Sequence, residues 1–240
     1  MTFSILGTEP KVAGHQMLVF YPQGNEQGSP EFEREAKKFS SLYLVPKDQI
    51  VSVPDMADRD FRRRAVISNI RKHKPGKINA VVFFCHGWTT GFWFGWNHFN
   101  VTELADHLNT GCTVVLYSCL TGGGPDVDLN EPGTGAEGGF ADKLRDALEA
   151  RGKTGSIVAH TTAGHATWNP FAIKLVSSGD PAKRGDTVAF CTKSSKMWQR
   201  WRDRLKMSTL RYYYPFLSPF ELVELLDLDD RQFWLHCARI

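Results

Sequence analysis

The chain has 240 residues, 42% hydrophobic and 23% charged, with a net charge of +3. That is an ordinary globular composition, long enough to bury a full α/β core with no need of disulfide or metal staples. The charge is too small to argue for nucleic acid, and the longest apolar run, Ala80 to Cys85, falls far short of the roughly 20 residues that cross a bilayer.

The opening MTFSILGTEP has no basic n-region and no long apolar core, which predicts no secretory leader. Cys85, Cys112, Cys119, Cys191 and Cys237 are odd in number and show no CxxC or zinc-type spacing. They predict free thiols in a reducing cytoplasm.

QMLVFY, Gln16 to Tyr21, reads as a first strand stopped at Pro22. EFEREAKKFSSLY places Phe32, Ala36, Phe39 and Tyr43 at helical spacing. DQIVSV, Asp48 to Val53, reads as a second strand. Asp58 to His73 predicts a charged amphipathic helix with Phe61, Ala65, Ile67 and Ile70 inward, ended by Lys74-Pro75-Gly76. INAVVFFC, Ile78 to Cys85, is apolar at nearly every position, the pattern of a strand buried on both faces of a parallel sheet. Val101 to Leu108 predicts a short helix, and CTVVLYSC, Cys112 to Cys119, a fourth buried strand. A Gly-rich acidic loop from Gly122 to Gly139 precedes the amphipathic FADKLRDALEA, closed by Gly152. Ser156 to Thr162 and Thr187 to Cys191 read as a fifth and a sixth strand, and the remainder as mostly helical.

Strands alternating with helices predict one α/β domain, a six-stranded mostly parallel sheet with helices on both faces. It is expected to span residues 1–196, with a helical C-terminal extension over 197–240 packed on it.

Two strand ends carry chemistry. The third ends in Cys85-His86-Gly87 and the fourth in Ser118-Cys119. In open parallel sheets, functional groups collect just beyond the carboxyl ends of the strands, and sequential strands are often neighbours. A thiol beside an imidazole is the minimal apparatus for nucleophilic acyl transfer. The Gly87 and Cys119 backbone amides are the candidate oxyanion donors. A serine-hydrolase reading fails because the G-x-S-x-G elbow around Ser118 would need Gly where Leu116 stands.

The order of elements, with His-Gly after the third strand and a cysteine after the fourth, resembles the caspase-like cysteine peptidases: caspases, metacaspases, CHAT peptidases and self-cleaving toxin protease domains. The likeness covers about residues 16 to 192 and rests on three stretches. HGWTTGFWFGWN is similar to the caspase His motif leading into a hairpin. SCLTGGG, with FADKLRDALEARG after a loop, is similar to the toxin proteases. AHTTAGHATWNP, Ala159 to Pro170, resembles the segment that leads from the fifth strand into the substrate groove.

The resemblance implies a three-layer caspase-like fold with flavodoxin-like strand order and a cysteine endopeptidase, with self-processing in the acidic loop as a further expectation. Cys119 would be the nucleophile and His86 the general acid/base. Thr161, Thr167, Trp168 and Asn169 would border the groove, with an extended substrate adding a strand at the fifth-strand exit. Phe92, Trp93, Phe94 and Trp96 would form the flanking hairpin. Two positions depart from the pattern. Tyr117-Ser118 precedes the cysteine where caspases have Gln-Ala, and Asn169 stands where an arginine helps select Asp.

Other signals point elsewhere. Asp126, Asp128, Asn130 and Glu137 have oxygen-ligand spacing, but Glu131 occupies the place of the Gly that an EF-hand loop requires. No metal or cofactor is expected, with calcium or an anionic activator left open. His160 and His165 lack a third ligand at fitting spacing. The basic stretch 193–211, with Trp198 and Trp201 among its cations, has the spacing of a packed helix and leaves a nucleic-acid-associated or non-proteolytic binding module as the alternative. The expected partner is a protein or peptide substrate, with no membrane.

Overall fold

The computed structural model describes residues 2–3, 12–24, 29–55, 57–73, 76–124, 136–161 and 172–190. The expected C-terminal extension, 197–240, and the basic stretch lie outside the described residues.

Seven strands form one sheet: β1 (Met17–Gln23), β2 (Ile50–Pro54), β3 (Ala80–Phe84), β4 (Cys112–Tyr117), β5 (Thr154–His160), β6 (Ala172–Ser178) and β7 (Thr187–Phe190). Their order is β2-β1-β3-β4-β5-β6-β7, parallel throughout except β6, which runs against both neighbours. All six strands expected from the sequence are present. β6 adds a seventh between the fifth and sixth. Its alternation of Ile173 and Leu175 with Lys174 is that of a strand with unlike faces, and the lysine breaks the apolar run that marks the others.

Four described helices cover the two faces: α1 (Ser29–Leu42), α2 (Arg59–Lys72), α3 (Val101–His107) and α4 (Phe140–Glu149). Alternation in each strand divides the core in two. Val81 and Phe83 of β3 join Leu104, Phe140 and Leu144 under α2, α3 and α4. Ala80, Val82 and Phe84 join Phe32, Phe39 and Tyr43 of α1 on the opposite face. Burial on both faces is why β3 and β4 are continuous apolar runs.

The helices end where local chemistry stops them. Asp58 accepts the Phe61 N–H at 2.7 Å as the N-cap of α2. Past α1, Leu44 turns left-handed at φ 56°, while the Val45 N–H donates to the Ser40 carbonyl at 2.8 Å, a Schellman closure. In α2, Phe61 is 46% exposed rather than inward, and Val66 joins Ile67 and Ile70 in the core. At about 100° per residue Phe61 lies roughly 140° around the helix from Val66, so the two cannot share a face.

Candidate active site

His86 and Cys119 leave the sheet at the same end of neighbouring strands. β3 and β4 pair in parallel through Phe84 and Tyr117, and the Cys85 N–H adds one more bond to the Tyr117 carbonyl at 3.2 Å. The Phe84 and Tyr117 rings stack at 4.4 Å beneath this point. On the α1 face, Phe32 meets the His86 ring edge-on at 4.9 Å.

Gly87 is where the two chains touch. A Cβ there would lie 2.7 Å from the Ser118 Cβ, 2.8 Å from the Cys119 carbonyl oxygen and 2.6 Å from the Thr121 methyl. Only glycine lets the His86-Gly87 backbone pass against the Cys119 turn. The chain then folds into a short hairpin, Gly87–Trp88 against Gly91–Phe92, and the His86 carbonyl accepts the Trp93 N–H at 2.9 Å. The aromatic cluster splits its duties. Phe92, Phe94 and Trp96 are buried against Phe83, while Trp93 is only partly covered and Trp88 is 53% exposed.

The Cys119 turn is fixed from several sides. Leu120, immediately after the cysteine, is left-handed at φ 60°, a conformation that a γ-branched side chain rarely adopts. The Thr121 hydroxyl donates to the Ser118 carbonyl at 3.0 Å, and the Gly122 N–H donates to the His160 carbonyl of β5 at 2.8 Å. The first turn of α4 completes the frame. Its Phe140 N–H donates to the Thr89 carbonyl of the hairpin at 2.7 Å, and its Ala141 N–H to the Thr121 carbonyl at 2.9 Å. Amides that a helix start leaves without intrahelical partners thus join the His86 hairpin to the Cys119 turn.

The described cysteines divide sharply. Cys85 is fully buried with its Sγ 3.2 Å from Ser118 Oγ, and burial pushes its thiol up to about 12. Cys112 is buried under the helices, and burial pushes it likewise to about 12. Both are inert core thiols. Cys119 alone among them is half-buried and reachable.

Thr161 follows β5 directly, fully buried, with a hydroxyl that has no hydrogen-bond partner among the described residues. Thr167, Trp168 and Asn169 lie outside the described residues, as do His165, Asp126, Asp128 and Asn130. Glu137 is exposed, 4.0 Å from Arg184. Among the described residues no group of three His, Cys, Asp or Glu side chains could hold a metal ion. No described helix is long and apolar enough to cross a membrane.

The sequence pattern read Phe32 only as helix core and Ser118 only as the strand-end neighbour of the cysteine, and it did not single out Thr121 or the crevice-lining Arg59 and Arg62. Thr121 and Gly122 stand two and three residues after the cysteine, and that nearness was a usable signal. Phe32 and the arginines come from distant elements. No family model matches the chain, and no curated protein matches it.

Proposed function

We propose that the chain is a cysteine endopeptidase of the caspase-like kind, with Cys119 as nucleophile and His86 as general acid/base. The observation that carries this reading is the contact of Gly87 with the Cys119 carbonyl, which brings the ends of β3 and β4 together. Support also comes from the reachability of Cys119 beside two core thiols that burial keeps protonated.

In the proposed reaction His86 takes the Cys119 proton and Sγ attacks the peptide carbonyl carbon. The electron pair moves to oxygen, where the Gly87 and Cys119 N–H groups donate to it. As the C–N bond breaks, His86 passes its proton to the departing amine. Water, deprotonated by His86, then hydrolyses the thioester and restores the thiol. The chemistry calls for no metal or cofactor, and a reducing compartment such as the cytoplasm keeps Sγ available. The substrate is an extended peptide. β4 and β6 already occupy both edges of β5 up to Ala159 and His160, so strand addition would begin at Thr161.

The test is peptide-library cleavage read by mass spectrometry, comparing wild type with Cys119→Ala and His86→Ala, with and without calcium. Cleavage by wild type alone supports the dyad. Absence of cleavage with all three proteins folded would count against an enzyme and favour a binding module.

A further inference from the structure

A crevice of about 490 Å3 opens beside His86, above the carboxyl ends of β1, β2 and β3. It lies at the reversal of strand order between β1 and β3, where open parallel sheets take ligands. Its walls include Arg59 and Arg62 of α2, with Trp88, Trp93 and Trp96 of the hairpin. Cys119 is not among them: its strand, β4, lies across β3 from β1 and β2.

Its charge is unusual. Arg63, next along α2, reaches Asp60 at 2.6 Å and Glu103 at 3.3 Å. Arg59 and Arg62 have no ion pair among the described residues. The Arg62 guanidinium lies 4.1 Å from the centre of the Trp93 ring, which holds its plane in place. Burial draws that guanidinium below its ordinary value, and the Arg59 charge adds to the effect. Two N–H donors in the walls, Arg62 Nε and Trp96 Nε1, are buried without an acceptor among the described residues. The carboxylate in the lining, Asp55, is folded against Gly24, where a Cβ would lie 1.8 Å from its Oδ2. Two guanidiniums without an ion pair among the described residues, spare donors and an aromatic wall describe a receptor for an anion with a planar acceptor group.

We propose that this crevice binds an oxyanion, carboxylate or phosphate, held by Arg59 and Arg62. The proposal stands apart from the peptidase reading, and its test involves no turnover. Wild-type protein is titrated with inorganic phosphate, with N-acetylglutamate amide and with the glutamine counterpart. Binding is read by calorimetry and by tryptophan fluorescence, since three tryptophans line the crevice.

The expected result is saturable binding of phosphate, or of the glutamate compound but not the glutamine one. Loss of a charge-assisted bond in Arg62→Gln or Arg59→Gln weakens it by at least about tenfold, and the double variant abolishes it. Exposed Lys183→Gln leaves it unchanged. Arg59 is itself exposed, so its variant keeps the test sound if the Arg62 variant misfolds. Phosphate binding assigns the site to a free anion, and binding of the glutamate compound alone assigns it to an acidic side chain on a larger ligand. No saturable response in folded wild type, or one that survives loss of both arginines, overturns the proposal.

Discussion

One methyl group on Gly87 would meet Ser118, Cys119 and Thr121 at distances that real Cβ atoms do not tolerate, and two of those neighbours are fixed by backbone. Gly87→Ala is expected to destabilise the protein by about 1–3 kcal/mol through overpacking and to abolish the proposed cleavage even where the protein still folds. Thermal melts beside activity assays check both parts. The cysteines give a second expectation. Iodoacetamide should label Cys119 in the native protein and reach Cys85 and Cys112 only on unfolding, as peptide mapping would read directly. Because burial raises the folded Cys85 thiol to about 12, its contribution to stability is whole below the unfolded value near 9. It is lost as the pH climbs toward 12, since the unfolded thiol ionises first. The stability difference between wild type and Cys85→Ala should therefore hold to about pH 9 and then shrink by about 1.4 kcal/mol per pH unit, measured by urea unfolding. A constant difference up to pH 11 would refute the assignment of Cys85 to a sealed site. The sequence already reads Cys119 as the strand-end candidate and Cys85 and Cys112 as core. Neighbours distant along the chain set them apart, as when Ser118 bonds to Cys85.

At the level of elements, α4 is the fastening. Its Asp142 and Arg145 are both buried and paired, and Arg184 reaches the same Asp142 carboxylate at 2.5 Å. Arg145 continues to Thr187 Oγ1 at 2.9 Å, which ties the helix to β7. Burial alone would raise the Asp142 carboxyl. Arg184, the Gly138 N–H and Arg145 outweigh it and hold the group below its ordinary value. Asp142→Ala would leave the Arg145 charge buried without its partner, an expected loss of about 3–5 kcal/mol, and Asp142→Ala/Arg145→Leu should recover part of it. Urea titration of the two variants decides the point. The elements were largely legible. Phe32, Ala36, Phe39 and Tyr43 proved buried together as their spacing predicts, and β3 and β4 lie in mid-sheet as their unbroken apolar runs require. β6 was not legible, because Lys174 sits in its middle, fully buried, and a charged residue in a short run reads as loop. Phe61 failed for a different reason: several apolar faces can be drawn through α2, and tertiary packing chose the one through Val66.

For the molecule as a whole, the order β2-β1-β3-β4-β5-β6-β7 puts β3 and β4 at the centre, under helices on both faces. Their amides should exchange with solvent only through global unfolding, whereas those of Ala182, Lys183 and Arg184 in an exposed turn should exchange far faster, as hydrogen-exchange mass spectrometry would resolve. The same arrangement made the candidate dyad visible in the sequence, since consecutive central strands are neighbours and their ends must meet. It hid the arginine crevice, whose walls come from β1, α2 and the hairpin and converge only in three dimensions. The frame around Cys119 also has a bearing on timing. Its supports are the α4 amides and the His160 carbonyl, all of which follow Cys119 along the chain. A nascent polypeptide therefore releases the thiol from the ribosome well before the parts that hold it in place. The turn gains its shape only once α4 and β5 have docked, so Cys119 reaches its place in the candidate site late in synthesis.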